Sequence, residues 1–125
     1  MIKKCKISIK KIDIIIELKN NKTSREIWKV LPIKSFIKRW GKEIYFACNI
    51  DVELDNENKS VINYGEIAFW PKGNCIAIGY GKTPISVNQE IRLADRCNIW
   101  GKSKCDLHKL DLCFEDDPVT VKKIE

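Results

Sequence analysis

Six cysteines, a single histidine and one Gly-Lys-Thr run are the residues of this chain with the most chemistry in them. The cysteines, at 5, 48, 75, 97, 105 and 113, form no C-x2-C pair, and the eight-residue steps from Cys97 to Cys105 to Cys113 fit no common structural zinc spacing. No metal site and no cofactor are expected. Cys5, Cys48 and Cys75 fall on the apolar phase of alternating segments, where a free thiol acts as a small hydrophobe. Cys105 differs, because Lys102 and Lys104 flank it and could favour a reactive thiolate if it were exposed; an inert thiol is the stronger reading. His108 would need an oriented nucleophile to take part in catalysis. With no G-x-S-x-G and no recognised cysteine motif present, it reads as a solvated histidine in a turn. Gly81-Lys82-Thr83 has the last letters of a phosphate loop, but Ile76 stands where the first glycine belongs and Pro84 follows at once. Nucleotide hydrolysis is excluded, which leaves Lys82 available to some other binding site.

Aromatic residues supply the more informative constellation. Alternation places Ile44, Phe46, Cys48 and Ile50 on one side of a strand and Tyr45, Ala47 and Asn49 on the other, so Tyr45 and Phe46 cannot share an interior. In the same way Ile67 and Phe69 oppose Glu66, Ala68 and Trp70. One set fills a core, and the other is free to line an outer groove with charged partners. Candidate groove residues are Arg39, Glu43, Tyr45, Trp70, Tyr80, Lys82 and Arg92, suited to an extended peptide or a small molecule. Plain packing is the competing reading for the aromatics, which often serve as large apolar fillers. Lys34, Lys38, Arg39 and Trp40, with Phe36 among them, come nearest to a nucleic-acid surface. Basic residues are however spread over almost every segment and accompanied by 17 acidic ones, so nucleic acid is not the expected partner.

These residues must be positioned by short strands. Cys5, Ile7 and Ile9 alternate with lysines and Ser8, and Ile12–Leu18 is nearly continuously apolar, which predicts two strands joined by a short turn. Thr23 and Glu26 fit a capping box that opens a helix running to about Val30, with Pro32 ending it. A strand is expected from Glu43, extended by Val52 and Leu54. Asp55–Ser60 is a polar run with no apolar anchor, expected to be an exposed and mobile loop. Val61–Ile62, Glu66–Trp70, Cys75–Tyr80, Arg96–Trp100 and Val119–Ile124 are further strands, and 106–112 a helical turn. Pro71-Lys-Gly-Asn74 is the turn that connects Glu66–Trp70 to Cys75–Tyr80. Seven to nine short strands at close spacing argue for a sandwich or closed barrel.

A length of 125 residues suits one domain spanning 1–125. No signal peptide precedes the first alternating segment, so the cysteines are expected reduced and the protein cytoplasmic. No apolar run reaches the length of a membrane span, Ile12–Leu18 being interrupted by Asp13 and Glu17. The net charge of +6 comes with an enrichment in Lys, Ile and Asn together, and says little about partners. Composition leaves the oligomeric state open.

Trp40-Gly-Lys-Glu-Ile-Tyr-Phe46, then Gly65-Glu-Ile-Ala-Phe-Trp-Pro71 with Gly73, then Gly81-Lys-Thr-Pro84, then Asn98-Ile-Trp-Gly101 form a recognisable series. It resembles the small cyclophilin-like β-barrels of prokaryotes, strongest at WG-EIYF and at WP-G followed by G-TP, across about 18–101. The resemblance implies a mainly β fold, a closed cyclophilin-like barrel with one or two short helices. It also implies a binding domain without prolyl isomerase activity, since those barrels lack the isomerase residues of ordinary cyclophilins. The F-H-R-x-x-P and Q-G-G segments of catalytic cyclophilins, whose arginine helps lower an amide barrier of about 18–20 kcal/mol, are absent here. Arg25, Arg39, Arg92 and Arg96 occur in no such context, so no catalytic residue is carried over. A weak or divergent isomerase is the enzyme alternative.

Overall fold

Alternation at the start of the chain becomes a hairpin in the computed structural model, which describes residues 2–125. Strand β1 (Lys4–Ile9) buries Cys5, Ile7 and Ile9, and β2 (Ile12–Leu18) buries Ile14 and Ile16 against them, with Ile7 opposite Ile14. Lys10 takes the left-handed conformation (φ 56°) that the tight turn needs and that no glycine announced.

Helix α1 (Lys22–Val30) follows, but its cap differs from expectation. Asn21 accepts from the Ser24 N–H at 2.9 Å, and the Ser24 hydroxyl accepts from the Asn21 N–H at 3.1 Å. The Thr23–Glu26 box does not form, because Thr23 is buried with its hydroxyl taken by the Asn98 amide and Glu26 pairs with Lys29.

The remaining strands are β3 (Ile33–Phe36), β4 (Lys38–Arg39), β5 (Glu43–Ala47), β6 (Lys59–Ile62), β7 (Glu66–Trp70), β8 (Cys75–Gly79), β9 (Ile91–Lys102) and β10 (Pro118–Ile124), with a 3-10 helix at Leu107–Leu112. They form one antiparallel sheet in the order β3-β10-β1-β2-β9-β7-β8-β5-β4, with β6 added on β9. The sheet's two ends, β3 and β4, are separated in sequence by Ile37 alone. A sheet whose first and last strands are almost consecutive must curl until its ends meet, so the fold is a nearly closed barrel. Ile37 itself is fully buried and ties the seam through its N–H to Asp117 O (3.0 Å) and its C=O to Asp116 N–H (2.8 Å). Strands β3 and β4 were not foreseen. They divide the basic stretch, leaving Lys34, Phe36 and Lys38 exposed while Arg39 turns inward.

Inside the barrel lie the β1 and β2 residues, Ile44, Phe46, Ile67, Phe69, Ile76, Ile78, Tyr80, Trp100, Val119 and Val121. Each such buried aliphatic or aromatic side chain contributes about 1.5–3 kcal/mol. A second, smaller apolar layer lies on the outer face: Ile62, Ala68, Ala77, Ile91, Leu93, Cys97 and Ile99, with Tyr45 and Trp70 packed on it. The expected division of Ile67 and Phe69 from Ala68 and Trp70 is therefore the boundary between the two layers. Alternation puts Ile99 in the outer layer and Trp100, fully buried, in the inner one, and a register shift in the β7–β9 ladder skips Trp100 between Ile99 and Gly101. Cys75 is a correction: it shares a phase with outward-facing Ala77 and is half-buried, outside the barrel core.

Two loop expectations also change. Strand β5 ends at Ala47 instead of running to Leu54, because Asn49 adopts φ 57° and the Asn74 side chain takes the Ile50 N–H at 3.0 Å. Asp55–Ser60 does have an anchor. The Asp55 N–H donates to buried Asn98 Oδ1 at 2.9 Å, Asn58 bonds back to Asp55 O, Arg96 holds Asn58, and Lys59 already belongs to β6.

Candidate functional site

Strand β6 and the first half of β9 form a two-stranded flap over the outer face of β7, β8 and β5. Gly79 lets it lie close: a Cβ there would meet Ile91 Cγ2 at 2.8 Å and Leu93 Cδ2 at 3.1 Å. Opposite Gly79 on the neighbouring strand is Glu43, an outward-phase residue that the flap covers to 5 % exposure.

Beside the flap a recess of about 280 Å³ opens, lined by Trp40, Glu43, Tyr45, Trp70, Ala77, Leu93, Ala94, Asp95 and Cys97. Tyr45 and Trp70 meet edge to face, their ring planes at 84° and centroids 6.4 Å apart, so they form two walls of a corner. Trp70 is braced from both sides. Its indole N–H points to Asp95 Oδ2 at 3.4 Å, and Gly73 lies so close that a Cβ would stand 2.3 Å from the ring.

Glu43 Oε1 is buried without a hydrogen-bond partner among the described residues. Desolvation alone pushes its carboxyl from an ordinary 4.5 up to about 7. Asp95 moves the other way, its carboxylate favoured first by the Arg96 N–H and then by the Trp70 indole. Burial, reinforced by Glu43 and Asp95, pushes the Cys97 thiol up to about 12, which makes it a poor nucleophile. A buried carboxyl poised near neutrality in an apolar cleft makes the recess a candidate site.

A family model described as cyclophilin-like matches residues 3–122. The chain belongs to the cyclophilin-like family. Its barrel superposes on the solution structure of the hypothetical protein AF2241 from Archaeoglobus fulgidus with a TM-score of 0.82, at 32 % identity, covering 98 % of this chain and 95 % of that one. No curated protein matches the chain.

Of the seven groove candidates, this cyclophilin-like barrel brings Glu43, Tyr45 and Trp70 together at the recess and places the other four elsewhere. Arg39 and Tyr80 face the opposite direction, under the 3-10 helix. There Arg39 donates to Leu110 O (2.8 Å), Cys113 O (3.1 Å) and the Tyr80 hydroxyl, which in turn donates to Asp111 Oδ1 at 2.7 Å. Burial first, then the bond to Asp111, pushes the Tyr80 phenol up to about 12. Tyr80→Phe leaves an Arg39 N–H short of its acceptor, and a loss of about 1–2 kcal/mol in urea unfolding is expected. Arg92 is held by Glu90 at 2.6 Å, and Lys82 is exposed beside Thr83, whose hydroxyl donates to Arg92 O. The Gly-Lys-Thr run is thus a turn staple. Cys105 is half-buried, accepting the Ile15 N–H at 3.4 Å, and His108 stacks on Tyr64 with centroids 5.3 Å apart.

Sequence reasoning left out Trp40, Leu93, Asp95 and Cys97 from the groove. The last three follow the period of two from Ile91, in a strand expected only from Arg96 onward. Among the described residues no group of three or more His, Cys, Asp and Glu could hold a metal, and no helix is long and apolar enough to cross a membrane.

Proposed function

We propose that this protein is a binding domain without prolyl isomerase activity, taking a small organic ligand or a single peptide side chain into the recess of Trp40, Glu43, Tyr45, Trp70 and Leu93. The observation that carries this reading is the unpartnered, buried Glu43 Oε1 at an aromatic-lined cleft. Leaving a buried acceptor unpaired costs about 1–3 kcal/mol, a cost that a bound donor would relieve. The volume, just under the roughly 300–1,000 Å³ of drug-sized pockets, suits one head group or side chain better than a folded segment.

The engagement of all four arginines elsewhere weighs against an isomerase. Arg25 bonds Asn20, Arg39 the 3-10 helix, Arg92 Glu90 and Arg96 Asn58, and none lines the recess. A fragment screen read by NMR shifts decides the question of binding. Hits are expected to move the Trp40 and Trp70 indole N–H signals, and Trp70→Ala is expected to weaken them at least about ten-fold. Hits that bypass both indoles would refute the site, and acceleration of prolyl isomerisation in a peptide assay would refute the non-catalytic reading.

A further inference from the structure

The chain carries a net charge of +6, yet no lysine, arginine or histidine lines the recess. Its charged lining consists of two carboxyl groups. Asp95 is set at the rim in the ionised form, and Glu43 is set at depth with an oxygen lacking any partner. The walls are Trp40, Tyr45 and Trp70, half-buried rings whose faces carry negative quadrupole density. Two of them stand at right angles, so a group in their corner meets two aromatic surfaces at once. Three aromatic rings with two acids form an environment for a desolvated organic cation.

Resting on the binding role proposed above, we propose that the recess selects a small molecule with an alkylammonium head group, the ammonium held against Tyr45 and Trp70 and neutralised by Glu43 and Asp95. An anion is disfavoured by both acids. A neutral guest of the same shape gains the apolar walls of Ala77 and Leu93 but brings no counter-charge to Glu43 and Asp95. The recess holds about one such head group.

Ionisation of Glu43 is part of the recognition. The titratable groups packed around it are Tyr45 on its own strand, Cys75 on β8, and Asp95 and Cys97 on β9; Lys72 approaches Asp95 and not Glu43. None of those beside Glu43 is cationic, so a bound ammonium would be its first counter-charge. Ammonium binding is therefore expected to favour the ionised carboxylate and to release a proton near neutral pH.

The test titrates the full chain with choline and with its uncharged isostere 3,3-dimethyl-1-butanol, read by calorimetry and tryptophan fluorescence. Choline is expected to bind about ten-fold or more tightly than the isostere, to lose affinity by a similar factor between about pH 8 and about pH 5, and to lose its preference in Glu43→Gln. Asp95→Asn, a rim change, is expected to reduce the preference without abolishing it. Equal or tighter binding of the isostere at Trp40 and Trp70 would overturn the cation selectivity while leaving the recess a binding site. Binding of neither compound, with fragments still perturbing the indoles, would also overturn the selectivity alone. Silence from every probe would remove both the selectivity and the binding role beneath it.

Discussion

Glu43→Gln is expected to erase a pH dependence of stability worth about 3 kcal/mol. The carboxyl titrates near 4.5 when solvated and at about 7 in the folded protein, and each pH unit between the two corresponds to about 1.36 kcal/mol. Within that window the folded chain holds a proton that the unfolded chain has released. Stability contributed by Glu43 is therefore complete below about 4.5, falls as pH rises, and is lost above about 7. Asp111, Asp95, Glu90 and Glu26 are shifted downward, so their contributions are lost only toward acid, below this window, and in both proteins alike. Subtracting the variant's curve from that of the wild type isolates Glu43. Urea unfolding at about pH 4.5 and about pH 8 gives the comparison, and parallel curves would show that Glu43 is solvated or paired. The sign bears on function, because a carboxyl that destabilises the fold at neutral pH contributes nothing to the barrel that keeps it. Strain of this kind is retained where a site needs it.

How much of this was legible depends on whether a residue's role is set by its neighbours in sequence or across the sheet. The split of Tyr45 from Phe46 and of Trp70 from Phe69 follows from period-two geometry, and the structure has both. Glu43 could be placed on the outward phase with Tyr45, but its burial comes from β9 lying over Gly79, a contact made by residues about fifty positions later. Arg39 and Tyr80 looked like groove residues because they stand in the same segments as Tyr45 and Trp70. Arg39 instead bridges to the 3-10 helix, whose carbonyls at Leu110 and Cys113 could not be located from local pattern. Strands β3 and β4 escaped for a related reason: at four and two residues they are defined by the partners they close against.

The misread loop leads to the second large effect, at Asn98. Its side chain is fully buried and uses three of its bonding positions: Oδ1 accepts the Asp55 N–H at 2.9 Å, and Nδ2 donates to Glu53 O at 2.8 Å and to Thr23 Oγ1 at 3.1 Å. One amide thus joins β9, the first turn of α1 and the 53–55 backbone. Asn98→Leu preserves volume and adds apolar surface, but takes their Asn98 partner from the part-buried Asp55 N–H and Glu53 carbonyl and from the buried Thr23 hydroxyl. At about 1–3 kcal/mol for each unpaired group, less some relaxation, a loss of about 3–4 kcal/mol is expected. That is a large fraction of the roughly 5–15 kcal/mol available to a domain. Asn98→Asp separates the contributions, since it keeps the acceptor for Asp55 and loses both donations. Amide exchange should accelerate first at 55–59 and along β6, while the β1–β2 hairpin, which the Asn98 side-chain hydrogen bonds do not reach, follows only global unfolding. A loss under about 1 kcal/mol, or exchange that rises uniformly, would mean that water already serves these groups. Because Arg96 holds Asn58 beside Asp95 and Cys97, loosening 53–58 also loosens the flap that buries Glu43. Asn98→Leu is therefore expected to lower the folded pKa of Glu43 back toward 4.5, a shift that Asn98 could produce only through the flap.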